Sequence, residues 1–136
     1  MSNVRSVKVE WRGGMRFEGG EEGGPKTLID ADSKLSPGPM VTLLVAAAAC
    51  SGADVVSILE KMQVQLATFD TEVVGVRAPD HPRRYVSIDF KFTLGGAGLD
   101  EIKARRAIDL SLTKYCSVIQ SLNPDIPIRY ELALVP

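Results

Sequence analysis

Apolar and polar positions alternate at the start of the chain. Val7, Val9 and Trp11 fall on one side and Ser6, Lys8 and Glu10 on the other, the pattern of a half-buried strand. Gly13-Gly14 supplies a turn, and Met15-Arg16-Phe17 returns as a hairpin partner. Gly19-Gly20-Glu21-Glu22-Gly23-Gly24-Pro25 reads as a flexible acidic loop. It lacks the Lys-Ser/Thr ending of a phosphate-binding loop and opens no helix, and its glutamates would repel phosphate. Thr27 to Ala31 makes a third short strand. Ser36-Pro37-Gly38-Pro39 then opens a helix, with Pro39 at its first position. The helical pattern runs from Met40 to Gln63, about 24 residues and about 36 Å. Its first half is apolar nearly all round. Its second half sets Val55, Ile58, Leu59 and Met62 against Asp54, Ser57, Glu60 and Lys61. A helix apolar on every side is buried on every side, so this element is expected at the centre.

Phe69, Thr71, Val73 and Gly75 alternate with Asp70, Glu72 and Val74, and Pro79-Asp80-His81-Pro82 turns the chain. The next strand sets Val86, Ile88, Phe90, Phe92 and Leu94 against Ser87, Asp89, Lys91 and Thr93, and Gly95-Gly96-Ala97-Gly98 is expected to break it. Asp100 and Glu101 then sit in the first turn of a second helix, where carboxylates complement the dipole. Its apolar stripe is Ile108, Leu112, Tyr115 and Ile119, with Cys116 one position away, and Asn123-Pro124-Asp125 stops it. Ile126, Ile128, Tyr130, Leu132 and Leu134 make a closing strand. The order is βββ-α-ββ-α-β, an α+β arrangement in one domain, residues 1–136, with no internal repeats.

Composition narrows the partners. The net charge is −1, from 16 basic and 17 acidic residues, which gives no electrostatic case for nucleic acid or a membrane surface. Aromatics make up 6%, too sparse for platforms on which single-stranded bases stack. Met1-Ser2-Asn3-Val4-Arg5 leads into mixed charged and apolar residues rather than a signal-peptide core. The most apolar run, Leu43 to Cys50, falls short of the roughly 18 residues a spanning helix needs. A cytoplasmic location is the expectation, where thiols stay reduced and a disulfide is transient.

Two cysteines, one on each helix, are the candidate reagents. Cys50 and Cys116 can meet only if the helices pack together, and two packed thiols can act as an attacking and a resolving pair. Taken alone they read more readily as small apolar residues filling a core. The sole histidine, His81, lies in a Pro-flanked turn and reads as a solvated loop residue. That removes hydrolase arrangements needing a base beside the nucleophile. No cluster has metal-ligand spacing, and neither a metal nor a cofactor is expected. An arginine or lysine must then activate a cysteine. Arg12 and Arg16, flanking Gly13-Gly14, are the candidates, each also readable as a solvated strand residue. Lys114 points to solvent, and Arg105 and Arg106 form a solvated helix face. Cys116, near the end of its helix, is expected to meet the unfavourable carbonyl end of the dipole.

Three motifs carry a resemblance. Pro39-Met40, two further residues, Leu43-Leu44 and an Ala-rich turn ending at Cys50 resemble the first-cysteine helix of the OsmC/Ohr family (osmotically inducible protein C and organic hydroperoxide resistance protein). Lys114-Tyr115-Cys116-Ser117-Val118 resembles its second-cysteine motif, and Trp11 to Phe17 its glycine-arginine hairpin. The resemblance implies two central helices wrapped by antiparallel sheets in an intertwined homodimer. It also implies thiol peroxidase chemistry on organic hydroperoxides. Cys50 would be peroxidatic, Cys116 resolving, Arg16 the activator, and an external dithiol the reductant. One departure stands out. The family often carries a glutamate nine or ten positions before the first cysteine, where it orients the arginine, and here those positions are Met40 and Val41. Glu10, Glu18 or a carboxylate of a partner chain are the substitutes available. Two functions therefore remain open: the peroxidase, and a redox-sensing or small apolar ligand-binding protein of the same fold.

Overall fold

The structure, a computed structural model, describes residues 3–136; the first two residues of the segment read as carrying no signal peptide, Met1 and Ser2, lie outside it. Its elements are β1 (Lys8–Trp11), β2 (Arg16–Gly20), β3 (Thr27–Asp30), α1 (Pro39–Lys61), β4 (Gln65–Arg77), β5 (Tyr85–Ala97), α2 (Glu101–Leu110), a π-turn (Ser111–Tyr115), α3 (Ser117–Gln120) and β6 (Ile128–Leu134). This is the expected α+β class, with two three-stranded sheets. The chain divides into two compact units after Leu43, with α1 running through the boundary.

In the first unit, β1, β2 and β3 form an antiparallel sheet in that order. Gly13 and Gly14 turn the β1–β2 hairpin at φ 93° and 57°, a region that favours glycine. The glycine-rich stretch is only partly loop. Gly19 and Gly20 belong to β2, opposite Val9 and Lys8, and a Cβ at Gly20 would stand 2.3 Å from the Pro25 carbonyl oxygen. One sheet face carries Val9, Trp11, Phe17 and Ile29, since Trp11 pairs with Phe17 and Phe17 with Ile29. It is largely uncovered, with Trp11 66% and Val9 59% exposed. The other face carries Glu10, Arg16, Glu18 and Asp30. The buried Asp30 carboxylate accepts the backbone N–H groups of Asp32 (2.9 Å), Lys34 (3.3 Å) and Leu35 (3.0 Å), which fixes the loop after β3.

In the second unit the sheet order is β4-β5-β6. β4 and β5 are antiparallel, but β5 and β6 run parallel, correcting the expectation of antiparallel sheets. The helical segment between them is a crossover, and a crossover returns the chain in the same direction. Ile88, Phe90, Phe92 and Leu94 of β5 are buried, together with Ala104, Ala107 and Ile108 of α2. From α1 come Ala47, Ser51, Val55 and Leu59, every fourth residue and hence one stripe. Val86 is exposed and Tyr85 buried, because an irregularity in the β4–β5 register beside Val76 and Arg77 shifts the alternation there. Gly95 and Gly96 do not end β5 but let it continue. A Cβ at Gly96 would lie 2.3 Å from the Gln65 carbonyl oxygen.

Two helices differ from expectation. α1 is buried along one stripe rather than all round, and Val41, Val45 and Val56 are exposed. At 23 residues it is also, by length and composition alone, long and apolar enough to cross a membrane, which the shorter Leu43–Cys50 run did not indicate. The second helix is broken. α2 opens on the Asp100 cap, whose carboxylate accepts the Lys103 N–H at 2.8 Å, widens into the π-turn, and stops at Cys116.

Candidate functional site

Both cysteines belong to the second unit, and the fold brings them together. Cys50 lies on α1 between buried Ala47 and buried Ser51 and is itself half-buried; Cys116 is completely buried. The Cys50 thiol is within hydrogen-bonding reach of the Cys116 thiol. Both are free thiols.

Small residues surround Cys50 on α1. Ala46 to Ala49 and Gly52 give α1 a low surface around Cys50, and the Phe69 ring comes so close that a Cβ at Gly52 would touch it at 3.6 Å. On the other side, the π-turn sets the position of Cys116. The Cys116 N–H donates to the Ser111 carbonyl at 2.8 Å, closing a ring one residue wider than an α-helical one. Cys116 then adopts an extended conformation (φ −69°, ψ 105°), and α3 starts beyond it, with the Gln120 N–H donating to the Cys116 carbonyl at 2.9 Å. The side-chain amide of Gln120 bridges the break by donating to the Leu112 carbonyl at 3.3 Å.

This geometry adds to the expected surroundings of Cys116. The residue stands at the end of the π-turn, as expected, but also at the start of α3. Cys116 is the N-cap residue of α3, and the backbone N–H groups of Ile119 and Val118 lie on the side of its sulfur that favours the thiolate. Burial nevertheless dominates, pushing the thiol up to about 11. The Ile119 N–H opposes that rise, the neighbouring Cys50 thiol adds to it, and the Val118 N–H opposes it weakly. Cys116 is therefore held as a thiol at neutral pH by dehydration.

A polar tie joins the two helical segments beside the thiols. The fully buried Ser111 hydroxyl lies 2.9 Å from a carboxylate oxygen of Asp54 and 3.2 Å from the Ser51 carbonyl, both on α1. The sequence reading missed this pair. Asp54 looked like a solvated position, and nothing distinguishes Ser111 from any helical serine.

Arg12 and Arg16 stand in the first unit, and the structure separates them chemically. Arg12 pairs with both Glu18 (3.1 Å) and Glu10 (3.6 Å). Glu10 and Glu18, the substitutes the sequence offers for the absent helix carboxylate, thus both face Arg12. Arg16 instead donates from Nε to the Gly13 carbonyl (3.3 Å) and sits opposite Asp30 in the β2–β3 register. Asp30 is held below the usual carboxylate range, chiefly by the Leu35 and Asp32 N–H groups, with Arg16 a smaller contributor. His81 is exposed, as expected of a turn residue. Among the described residues no group of His, Cys, Asp and Glu is arranged to hold a metal ion.

The family model for OsmC-like protein matches residues 31–131, spanning both cysteines. The chain belongs to the OsmC-like protein family. Its relatives include Protein YhfA of Escherichia coli K12, 34% identical over 130 residues that cover 95% of this chain and 97% of YhfA. The fold also matches an OsmC-like protein from Mycoplasma pneumoniae, with a TM-score of 0.85, 16% identity and complete coverage of both chains. The organic hydroperoxide resistance protein OhrB of Bacillus subtilis aligns with a TM-score of 0.62 and 16% identity, covering 94% of this chain and 98% of OhrB. At such identities the two structures speak for the fold alone. Family membership agrees with the resemblance carried by the cysteine and hairpin motifs.

Proposed function

We propose that this OsmC-like protein is a cysteine-based peroxidase that reduces organic hydroperoxides. The observation that carries the proposal is the pairing of a half-buried Cys50 with a fully buried Cys116 within hydrogen-bonding reach. The more accessible sulfur is the one a peroxide can meet. Its thiolate attacks the terminal oxygen, the O–O bond breaks, the alcohol leaves, and Cys50 becomes a sulfenic acid. Cys116 then loses its proton and attacks the Cys50 sulfur. The S–O bond breaks, water leaves, and a disulfide forms. An external dithiol returns both sulfurs to thiols, so no cofactor is required. The apolar run of α1 leading to Cys50, from Leu43 to Ala49, favours an organic over a small polar peroxide. The family resemblance of the Gly-Arg hairpin assigns Arg16, of this chain or of a partner, to stabilise the Cys50 thiolate. The working unit is a homodimer in the cytoplasm.

Mass spectrometry after stoichiometric cumene hydroperoxide tests the reading. Wild type is expected to show an intramolecular Cys50–Cys116 disulfide that dithiothreitol reverses. Cys116→Ser is expected to stop at the Cys50 sulfenic acid and over-oxidise, and Cys50→Ser to leave the peroxide unconsumed. Arg16→Ala is expected to slow the first step. If both thiols of the wild type remain alkylatable after excess peroxide, the peroxidase reading fails. The redox-sensing or ligand-binding reading then takes its place.

A further inference from the structure

We propose that Asp54 and Ser111 are positioning residues for the second half of the reaction, clamping the π-turn so that Cys116 faces Cys50. The proposal rests on the peroxidase reading for its place in the reaction, but the clamp itself is a statement about geometry. Asp54 lies four residues after Cys50 on α1, one turn along the same face. Ser111 opens the π-turn, and its own carbonyl holds the Cys116 N–H at 2.8 Å. The 2.9 Å contact between the Ser111 hydroxyl and the Asp54 carboxylate therefore ties the segment that carries one sulfur to the segment that aims the other.

A π-turn needs such a tie. Its hydrogen bond spans one residue more than that of an α-helix, and such turns are rare. If Ser111 were released, the segment would relax toward i to i+4 bonding, and everything after it would rotate by about 100° around the axis. Cys116 would then leave the line to Cys50. Ser111 is also completely buried, so its hydroxyl is costly unless bonded. Disulfide formation demands close sulfur alignment, so a small displacement reduces its rate strongly. The attack of a peroxide on Cys50 makes no such demand on Cys116.

The two steps can be read separately. Sulfenic acid formation is followed by dimedone trapping in a Cys116→Ser background, and disulfide closure by loss of alkylatable thiols with Cys116 present. Ser111→Ala and Asp54→Ala are each expected to slow closure by about tenfold, the loss of one part-buried charge-assisted bond, while trapping changes by less than about twofold. Asp54→Asn retains an oxygen acceptor for the hydroxyl and is expected to restore most of the rate. The double variant is expected to be no slower than Ser111→Ala alone, because removing the hydroxyl already removes its bond to Asp54 together with its contact to the Ser51 carbonyl. A merely structural role would slow trapping and closure together and would leave Asp54→Asn as impaired as Asp54→Ala; either result overturns the clamp.

Diamide keeps this proposal distinct from the peroxidase reading. Its N=N bond takes two electrons and two protons from the thiols, giving a hydrazine and the disulfide. Wild type inert to peroxide but closing with diamide about tenfold faster than Ser111→Ala would sink the peroxidase and support the clamp. Equal diamide rates would sink the clamp.

Discussion

Burial pushes the Cys116 thiol up to about 11, so at pH 7 it is overwhelmingly protonated. The thiolate is the attacking species, so the resolving step has a pH signature of its own. The sign follows from the direction of the shift: a raised value means that closure is slow at neutral pH and accelerates with every unit toward 11. Closure of preformed Cys50 sulfenic acid is expected to rise about tenfold per pH unit between 7 and 9, measured by pH-jump with rapid alkylation. A flat profile would show that Cys116 is ionised at neutrality and that burial does not control it. Individual residues were legible in the sequence to the extent that their chemistry is rare. Two cysteines and one histidine leave few candidates, and the Gly-Arg hairpin was visible as a motif. The contact between Cys50 and Cys116 was not legible from spacing, because it depends on how α1 meets a π-turn. Nor was the role of Asp54, since a carboxylate on the polar side of a helix looks the same whether or not a buried hydroxyl reaches it.

Elements were legible where their period was clean. The alternation from Ile88 to Leu94 and the apolar run after Pro39 both gave elements close to those observed. The misses have local causes. The helix around Ser111 to Tyr115 keeps an apolar stripe at ordinary spacing, and the sequence carries no mark of the extra residue per turn or the break at Cys116. The Gly95-Gly96 pair has the composition of a breaker, yet it serves as a point of close strand approach. That reading yields a stability prediction. A Cβ at Gly96 would stand 2.3 Å from the Gln65 carbonyl oxygen and 2.8 Å from the Leu66 Cα, both backbone atoms that cannot step aside as a flexible side chain would. Gly96→Ala is expected to lower stability by about 1–3 kcal/mol, seen as a lower midpoint in urea denaturation. Gly14→Ala provides a contrast: nothing lies within 4 Å of its Cβ position, so only the cost of its positive φ of 57° remains. If Gly96→Ala unfolds no earlier than Gly14→Ala, close packing at the end of β5 is not what glycine provides there.

At the scale of the whole molecule, two apolar surfaces lack a covering. One is the sheet face with Val9, Trp11 and Phe17, where Trp11 is 66% exposed; the other lies on α1, where Val45 is 56% and Val41 49% exposed. Scattered apolar residues on a surface need no explanation, but contiguous faces on two elements do. The sequence pattern anticipated part of this. A helix apolar nearly all round should be buried all round, and α1 is buried along only the stripe of Ala47, Ser51, Val55 and Leu59. A second copy is the occupant we propose, because each copy presents the same two surfaces. Sedimentation at low micromolar concentration is expected to show a single species of twice the chain mass. Val45→Asp, which places a carboxylate on the exposed α1 face and not in the buried stripe, is expected to weaken association at least about tenfold, since a buried unpaired charge costs several kcal/mol. The substitution leaves the buried stripe of α1 intact, so the dissociated chain should retain the far-ultraviolet circular dichroism of the wild type. A wild-type chain that sediments as a stable monomer would remove the dimer from the proposed function. A Val45→Asp protein that dimerises as tightly as wild type would move the interface away from this face of α1.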